Sequence, residues 1–139
     1  FVALFIGVST ATLTGVGFAL ILDGSQETLL SLAPKSVTTP VAMGIADEVG
    51  GIPSLTAVLV VITGIVGAAI GTKLFVWMRI TDDAVKGVAM GVTSHGIGTA
   101  RAYQINNEMG AFSGLAMALS AFATSVIVPW LLRLMGLIG

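Results

Sequence analysis

Three long runs of the chain are almost free of charge, and they limit the possible fold more than any other feature. Residues 1–22 and 110–132 contain no charged side chain, and residues 54–78 contain only Lys73. About 20 apolar residues are enough for an α-helix to cross a bilayer. Over the whole chain only 9% of residues are charged, whereas a soluble domain is about 25% charged. The sequence therefore predicts an all-α, polytopic membrane protein whose residues 1–139 form one transmembrane domain.

Charge and composition exclude several other classes of protein. The net charge is −1, so we expect no nucleic-acid partner. The chain has no cysteine and a single histidine, so neither a metal site nor a cofactor is predicted. Ser94 and His95 are adjacent in sequence and have no evident orienting acid, so we expect no enzyme. No basic segment precedes the first apolar run, so we expect a piece of a longer protein rather than a signal peptide.

Two further segments are apolar but interrupted. Residues 28–51 contain two prolines, Pro34 and Pro40, on either side of Lys35, and proline breaks helical hydrogen bonding. Residues 84–109 contain the stretch Ser94–Ala102, which holds the only histidine and an arginine among glycines. We predict a broken helix in each segment, with the second half-helix starting at Thr38–Thr39 in one and at Gly98–Thr99 in the other.

The two broken segments are related by a shift of 60 residues. This shift places Lys35 on His95, Thr39 on Thr99 and Glu48 on Glu108. We interpret residues 28–79 and 84–133 as repeat units, although a chain of few residue types also gives matches by chance. Interrupted segments at corresponding positions of two repeats are typical of a transporter binding site.

Basic residues predict the orientation of these repeats. Lys73, Arg79 and Lys86 flank one loop, which we place on the cytoplasmic side. Both ends of the first broken segment then lie outside, so the segment is predicted to be a re-entrant hairpin and the repeat to be inverted. If the broken segments instead span fully, the repeat is parallel.

A site for a small carboxylate is predicted where the two breaks meet. Backbone N–H groups freed at a half-helix start attract anions, and an ionisable side chain at membrane depth is normally functional. Lys35 and Arg101 would counter the substrate charge, hydroxyls and amides would orient it, and His95 would bind or relay a proton. Transport would be coupled to H⁺ or Na⁺. The predicted substrate-binding residues are Lys35, Ser36, Thr38, Thr39, His95, Gly96, Gly98, Thr99 and Arg101.

Each of these residues also has a structural interpretation. His95 is alternatively a hydrogen-bonded core residue, and Lys35 alternatively extends to an interface. Arg101 is alternatively paired with Glu108, and Lys35 with Asp47 or Glu48, as salt bridges that only hold the bundle together.

Three stretches in this order resemble a known family. They are PKSVTTPVA (34–42), GGIPSLTAVLVVITGIVGA (50–68) and HGIGTARA (95–102), and together they resemble the LrgB/CidB family of bacterial membrane proteins. The resemblance extends over the chain from about Asp23 onward and implies the C-terminal portion of a multi-pass protein of the bacterial inner membrane.

The resemblance implies two functions. Bacterial members of the family are described as antiholin-like proteins that modulate murein hydrolase export and cell lysis with a small LrgA/CidA-type membrane partner. A plant plastid relative is a glycolate/glycerate translocator, and bacterial members are linked to pyruvate movement. We therefore expect a secondary transporter of small carboxylates or, alternatively, an antiholin-like component. In either case the expected surroundings are membrane lipid and further copies of the chain in a homo-oligomer.

Overall fold

The protein is built from six helices and contains no strand. The computed structural model describes all residues 1–139. In chain order the helices are α1 (Val2–Ile21), α2 (Gln26–Leu32), α3 (Thr39–Val49), α4 (Pro53–Trp77), α5 (Asp83–Ile105) and α6 (Asn107–Leu134).

Three of these helices, α1, α4 and α6, are long and apolar enough to cross a membrane. They coincide to within three residues with the runs predicted from the sequence, so the all-α membrane fold is confirmed. Pro53 stands in the first turn of α4, where its missing N–H would have no helical partner anyway. Most of the exposed side chains of α4 are large and apolar, for example Ile62, Ile65 and Ile70, as a lipid-facing surface requires.

The first broken segment consists of α2, a turn and α3. Helix α2 ends at Leu32 and α3 begins at Thr39, so the break falls between the two prolines. Pro40 occupies the first turn of α3 and therefore starts a helix rather than interrupting one. After α3 the chain returns to α2, because the hydroxyl of Ser31 accepts a hydrogen bond from the Ile52 amide at 2.8 Å. The start of α4 thus packs against the end of α2.

The second broken segment is α5, which folds back on itself at His95. This residue has φ 41° and ψ −130° inside an otherwise helical element. Near the fold, a side chain at Gly98 would meet the Met90 carbonyl, a contact that a straight helix, rising about 1.5 Å per residue, does not allow. At the open end, the Asn106 amide donates to Asp83 at 2.8 Å. Residues 83–94 and 96–105 are therefore antiparallel arms of a hairpin.

Asp83 closes the mouth of this hairpin. One carboxylate oxygen accepts from Lys86 at 2.7 Å and the other from Asn106. The pKa of Asp83 lies below its usual value, mainly because of the hydrogen bond from Lys86 and also because of the one from Asn106. The carboxylate therefore stays charged at neutral pH, and its share of the hairpin's stability is lost only as the pH falls through the lowered pKa.

These contacts predict which ends of the broken segments share a side of the membrane. Glu27 and Glu48 flank the first segment, Thr81 and Asn107 flank the second, and all four are exposed. Single cysteines at positions 27 and 48 should react with an impermeant thiol reagent from one side, and those at 81 and 107 from the other side. Labelling of the two members of either pair from opposite sides would contradict the hairpins and favour full spans. The inverted repeat remains a prediction until this is measured.

Candidate functional site

Lys35 lies in the first break and reaches α1. Its ammonium donates to the Ala11 carbonyl at 3.0 Å, near the middle of α1. Gly15 makes room for it, since a side chain there would come within 3.0 Å of the Lys35 nitrogen. The alternative interpretation, a salt bridge of Lys35 with Asp47 or Glu48, is wrong, because the only ion pair in the structure is Lys86–Asp83. Both acids are exposed on α3, away from the break.

The start of α3 leaves backbone donors unused. Thr38 is the N-cap residue, yet its side chain makes no capping bond. The backbone N–H groups of Thr39 and Val41 have no hydrogen-bond partner, and the half-buried Ser36, Thr38 and Thr39 make no side-chain hydrogen bond. The first break therefore combines an ammonium that has no carboxylate partner with free amides, all of which are donors.

His95 is held against α4 in the second break. Its Nε2 lies 3.0 Å from the Val60 carbonyl. Because a carbonyl only accepts, Nε2 carries the hydrogen, which leaves Nδ1 free to accept one. The ring is buried, and a side chain at Gly64 would come within 2.6 Å of it. The positive φ of His95 costs about 1–3 kcal/mol at a non-glycine residue, so packing against α4 stabilises a strained conformation.

The other residues predicted around His95 are divided between the interior and the surface. Thr99 is buried and donates to the His95 carbonyl at 2.8 Å. Because this bond uses the only hydrogen of the Thr99 hydroxyl, the Ser113 hydroxyl on α6 is the donor in their contact at 2.9 Å. Gly98 is buried, whereas Gly96 is exposed. The second half-helix begins at Gly96, two residues earlier than the predicted start at Gly98, because the chain reverses at His95 itself.

Arg101 lies on the outward face of the hairpin. It is exposed and donates only to Gln104, at 3.0 Å. The alternative interpretation, a salt bridge between Arg101 and Glu108, is wrong, because no ion pair forms there and Glu108 is exposed at the start of α6. No side-chain hydrogen bond or ion pair joins the first break, around Lys35, to the second break, around His95.

Sequence reasoning missed the partners of both key side chains. Lys35 and His95 bind the backbone carbonyls of Ala11 and Val60, which any residue type would supply. Only the spacing of Gly64, Gly67 and Gly71 signals the contact surface on α4. These glycines face His95, Ser94 and Met90, respectively.

An alanine at Gly64 should loosen the tip of the hairpin. The new methyl group would press on the His95 ring and on Ile97, and overpacking of this kind costs about 1–3 kcal/mol. Because the ring is the obstacle, Gly64→Ala in a His95→Ala background should cost less than the sum of the two single changes. Thermal unfolding in mild detergent measures the cycle, with Gly17→Ala as a control at a position with open space. Additive costs would show that the ring is not held by α4.

Comparison with known proteins identifies the family. A model of the LrgB-like family matches residues 1–134. The chain is 39% identical over 105 residues to protein YwbG of Bacillus subtilis, covering 76% of this chain and 47% of that protein. It is 33% identical over 135 residues to the holin-like protein CidB of Staphylococcus epidermidis, covering 91% of this chain and 59% of that protein.

A second staphylococcal relative, the holin-like protein CidB of Staphylococcus aureus, is 34% identical over 110 residues, covering 79% of this chain and 48% of that protein. The chain thus spans about half the length of the curated relatives it matches. No solved structure matches it. The match over nearly the whole chain, together with three membrane-length helices, shows that this membrane protein belongs to the LrgB-like family.

Proposed function

We propose that the chain is part of a holin-like or antiholin-like component that controls the permeability of the bacterial inner membrane and, through it, murein hydrolase export and cell lysis. The observation that carries this proposal is the family match over residues 1–134, with relatives named holin-like at 33–34% identity. The protein would act as a multi-pass homo-oligomer in lipid, together with a small LrgA/CidA-type membrane protein.

A second candidate function is secondary transport of small carboxylates of the pyruvate, glycolate and glycerate class, coupled to H⁺ or Na⁺. The observation that favours it is the donor-rich first break. Lys35 has no carboxylate partner, and the Thr39 and Val41 amides are free, so a carboxylate would find both charge and hydrogen bonds there. His95, with Nδ1 free, would accept the coupled proton.

One reconstitution separates the two functions. Proteoliposomes that hold the full-length protein, with or without the small partner, are tested for dye release and for uptake of labelled pyruvate, glycolate and glycerate. The first function predicts release that depends on the partner, lacks substrate selectivity and persists in Lys35→Ala. Saturable uptake that is lost in Lys35→Ala and retained in Lys86→Ala, with all proteins folded, would instead establish the carrier.

A further inference from the structure

The helices of this protein present two different kinds of surface. Helices α1, α4 and α6 expose large apolar side chains, for example Phe5, Ile62 and Phe122, which are 54%, 53% and 77% exposed. Such surfaces match the acyl chains of lipid.

The return arms, defined as α3 and residues 96–105 of α5, expose a different set. Their positions recur at helical spacing, so each set forms one face. The outward face of α3 carries Pro40, Gly44, Asp47 and Glu48, and that of α5 carries Gly96, Ala100, Arg101, Tyr103, Gln104 and Ile105. Tyr103 and Ile105, near the mouth of the hairpin, are the only large apolar residues in the two sets.

Both faces reach well into the membrane. Helix α3 joins the membrane-length α4 through Gly50–Ile52, so Val49 lies level with the start of α4 and Gly44 about 7 Å further in, at about 1.5 Å per residue. Ala100 lies a similar distance from the mouth of the α5 hairpin. The hydrocarbon core extends about 15 Å from its surface to its centre, so both positions lie within it.

We propose that these outward faces are wetted and line two water-filled approaches to the breaks, one from each end of the bundle. Lipid would leave the Arg101 guanidinium and the Gln104 amide without further partners, and charged groups at such depths normally face a cavity. The approach along α5 takes small anions, since Arg101 has no acidic partner and guanidinium binds carboxylates in a bidentate manner. The approach along α3 disfavours anions because Asp47 and Glu48 stand at its rim. This proposal rests only on membrane insertion, which both proposed functions share.

Thiol reactivity tests the proposal directly, because residues 1–139 contain no cysteine. Single cysteines replace Ala100 and Gly44, and the matched lipid-facing controls are Ile62→Cys and Phe122→Cys. The probes are an anionic sulfonate and a cationic trimethylammonium methanethiosulfonate, applied to the full-length protein in liposomes after any cysteine elsewhere has been removed. Positions 100 and 44 should react at least ten-fold faster than 62 and 122. The ratio of the anionic to the cationic reaction rate should be several-fold higher at position 100 than at position 44. Arg101→Gln should remove this difference.

Reaction at positions 44 and 100 no faster than at the controls would overturn the proposal. Disulfide cross-linking of Ala100→Cys or Gly44→Cys between copies, without probe reaction, would assign these faces to a second copy and would also overturn it. A side chain at Gly44 meets nothing within 4 Å, so this variant should fold. Because the readout is chemical, fast reaction in a protein that shows neither release nor uptake would refute the proposed functions and leave the wetted faces standing.

Discussion

Replacing Gly91 by alanine should destabilise the protein more than any other glycine-to-alanine change in the chain. A methyl group at Gly91 would overlap the backbone carbonyl of Ser113 and lie 3.0 Å from both the Ala116 methyl group and the Met117 amide. None of these atoms can rotate away, because two belong to the backbone of α6 and the third is attached directly to it. The first arm of α5, residues 83–94, would have to move away from α6. This should cost about 3 kcal/mol, the upper end of the range for overpacking.

Gly44→Ala provides the matched control for this change. Gly44 is also within a helix, but its new methyl group would meet nothing within 4 Å. Alanine favours a helix over glycine by up to about 1 kcal/mol, so this variant should be as stable as the parent or more stable. Unfolding in a detergent series measures both variants. Equal stabilities would show that α5 and α6 do not approach as closely as the structure indicates.

The sequence predicts the spanning helices well because membrane insertion depends on summed hydrophobicity, which is a local property. It also predicts both breaks, since Pro34 removes a helical donor and glycines weaken the stretch around His95. The position of the second break is less accurate. A local argument places it at the glycines, but the chain reverses at His95, where the contacts with Val60 and Gly64 of α4 offset the strain.

The alternative salt-bridge interpretations of Lys35 and Arg101 failed for a related reason. Opposite charges near each other in sequence predict a pair only if both point to the same side of their helices. Arg101 and Glu108 lie on different elements, and both are exposed. Lys35 instead points to a backbone carbonyl on α1, a partner that no residue pattern marks. The sequence thus marks the two breaks, but not the contacts that their side chains make.

Replacing Lys35 by methionine should make the protein more stable and remove any function that needs an anion. The ammonium has three donors but makes one hydrogen bond, to the Ala11 carbonyl, and no carboxylate lies within 4.0 Å of it. A lysine near the centre of a membrane helix costs about 2.5–3.5 kcal/mol on insertion scales. Methionine has nearly the same length and no charge, so we expect a gain of about 1–3 kcal/mol in the free energy of unfolding.

Lys86→Met is the control that shows whether the gain in stability is specific to Lys35 or follows from the loss of any lysine. Lys86 is partly exposed and paired with Asp83 at 2.7 Å, so its replacement should lower stability slightly, and both variants can be unfolded in the same detergent series. A less stable Lys35→Met protein would mean that the bond to Ala11 holds the first break in place, and the ammonium would then be structural. A more stable protein with unchanged release and no uptake would favour the holin-like function. Higher stability with loss of saturable uptake would instead show that the chain keeps a costly charge because its substrate is an anion.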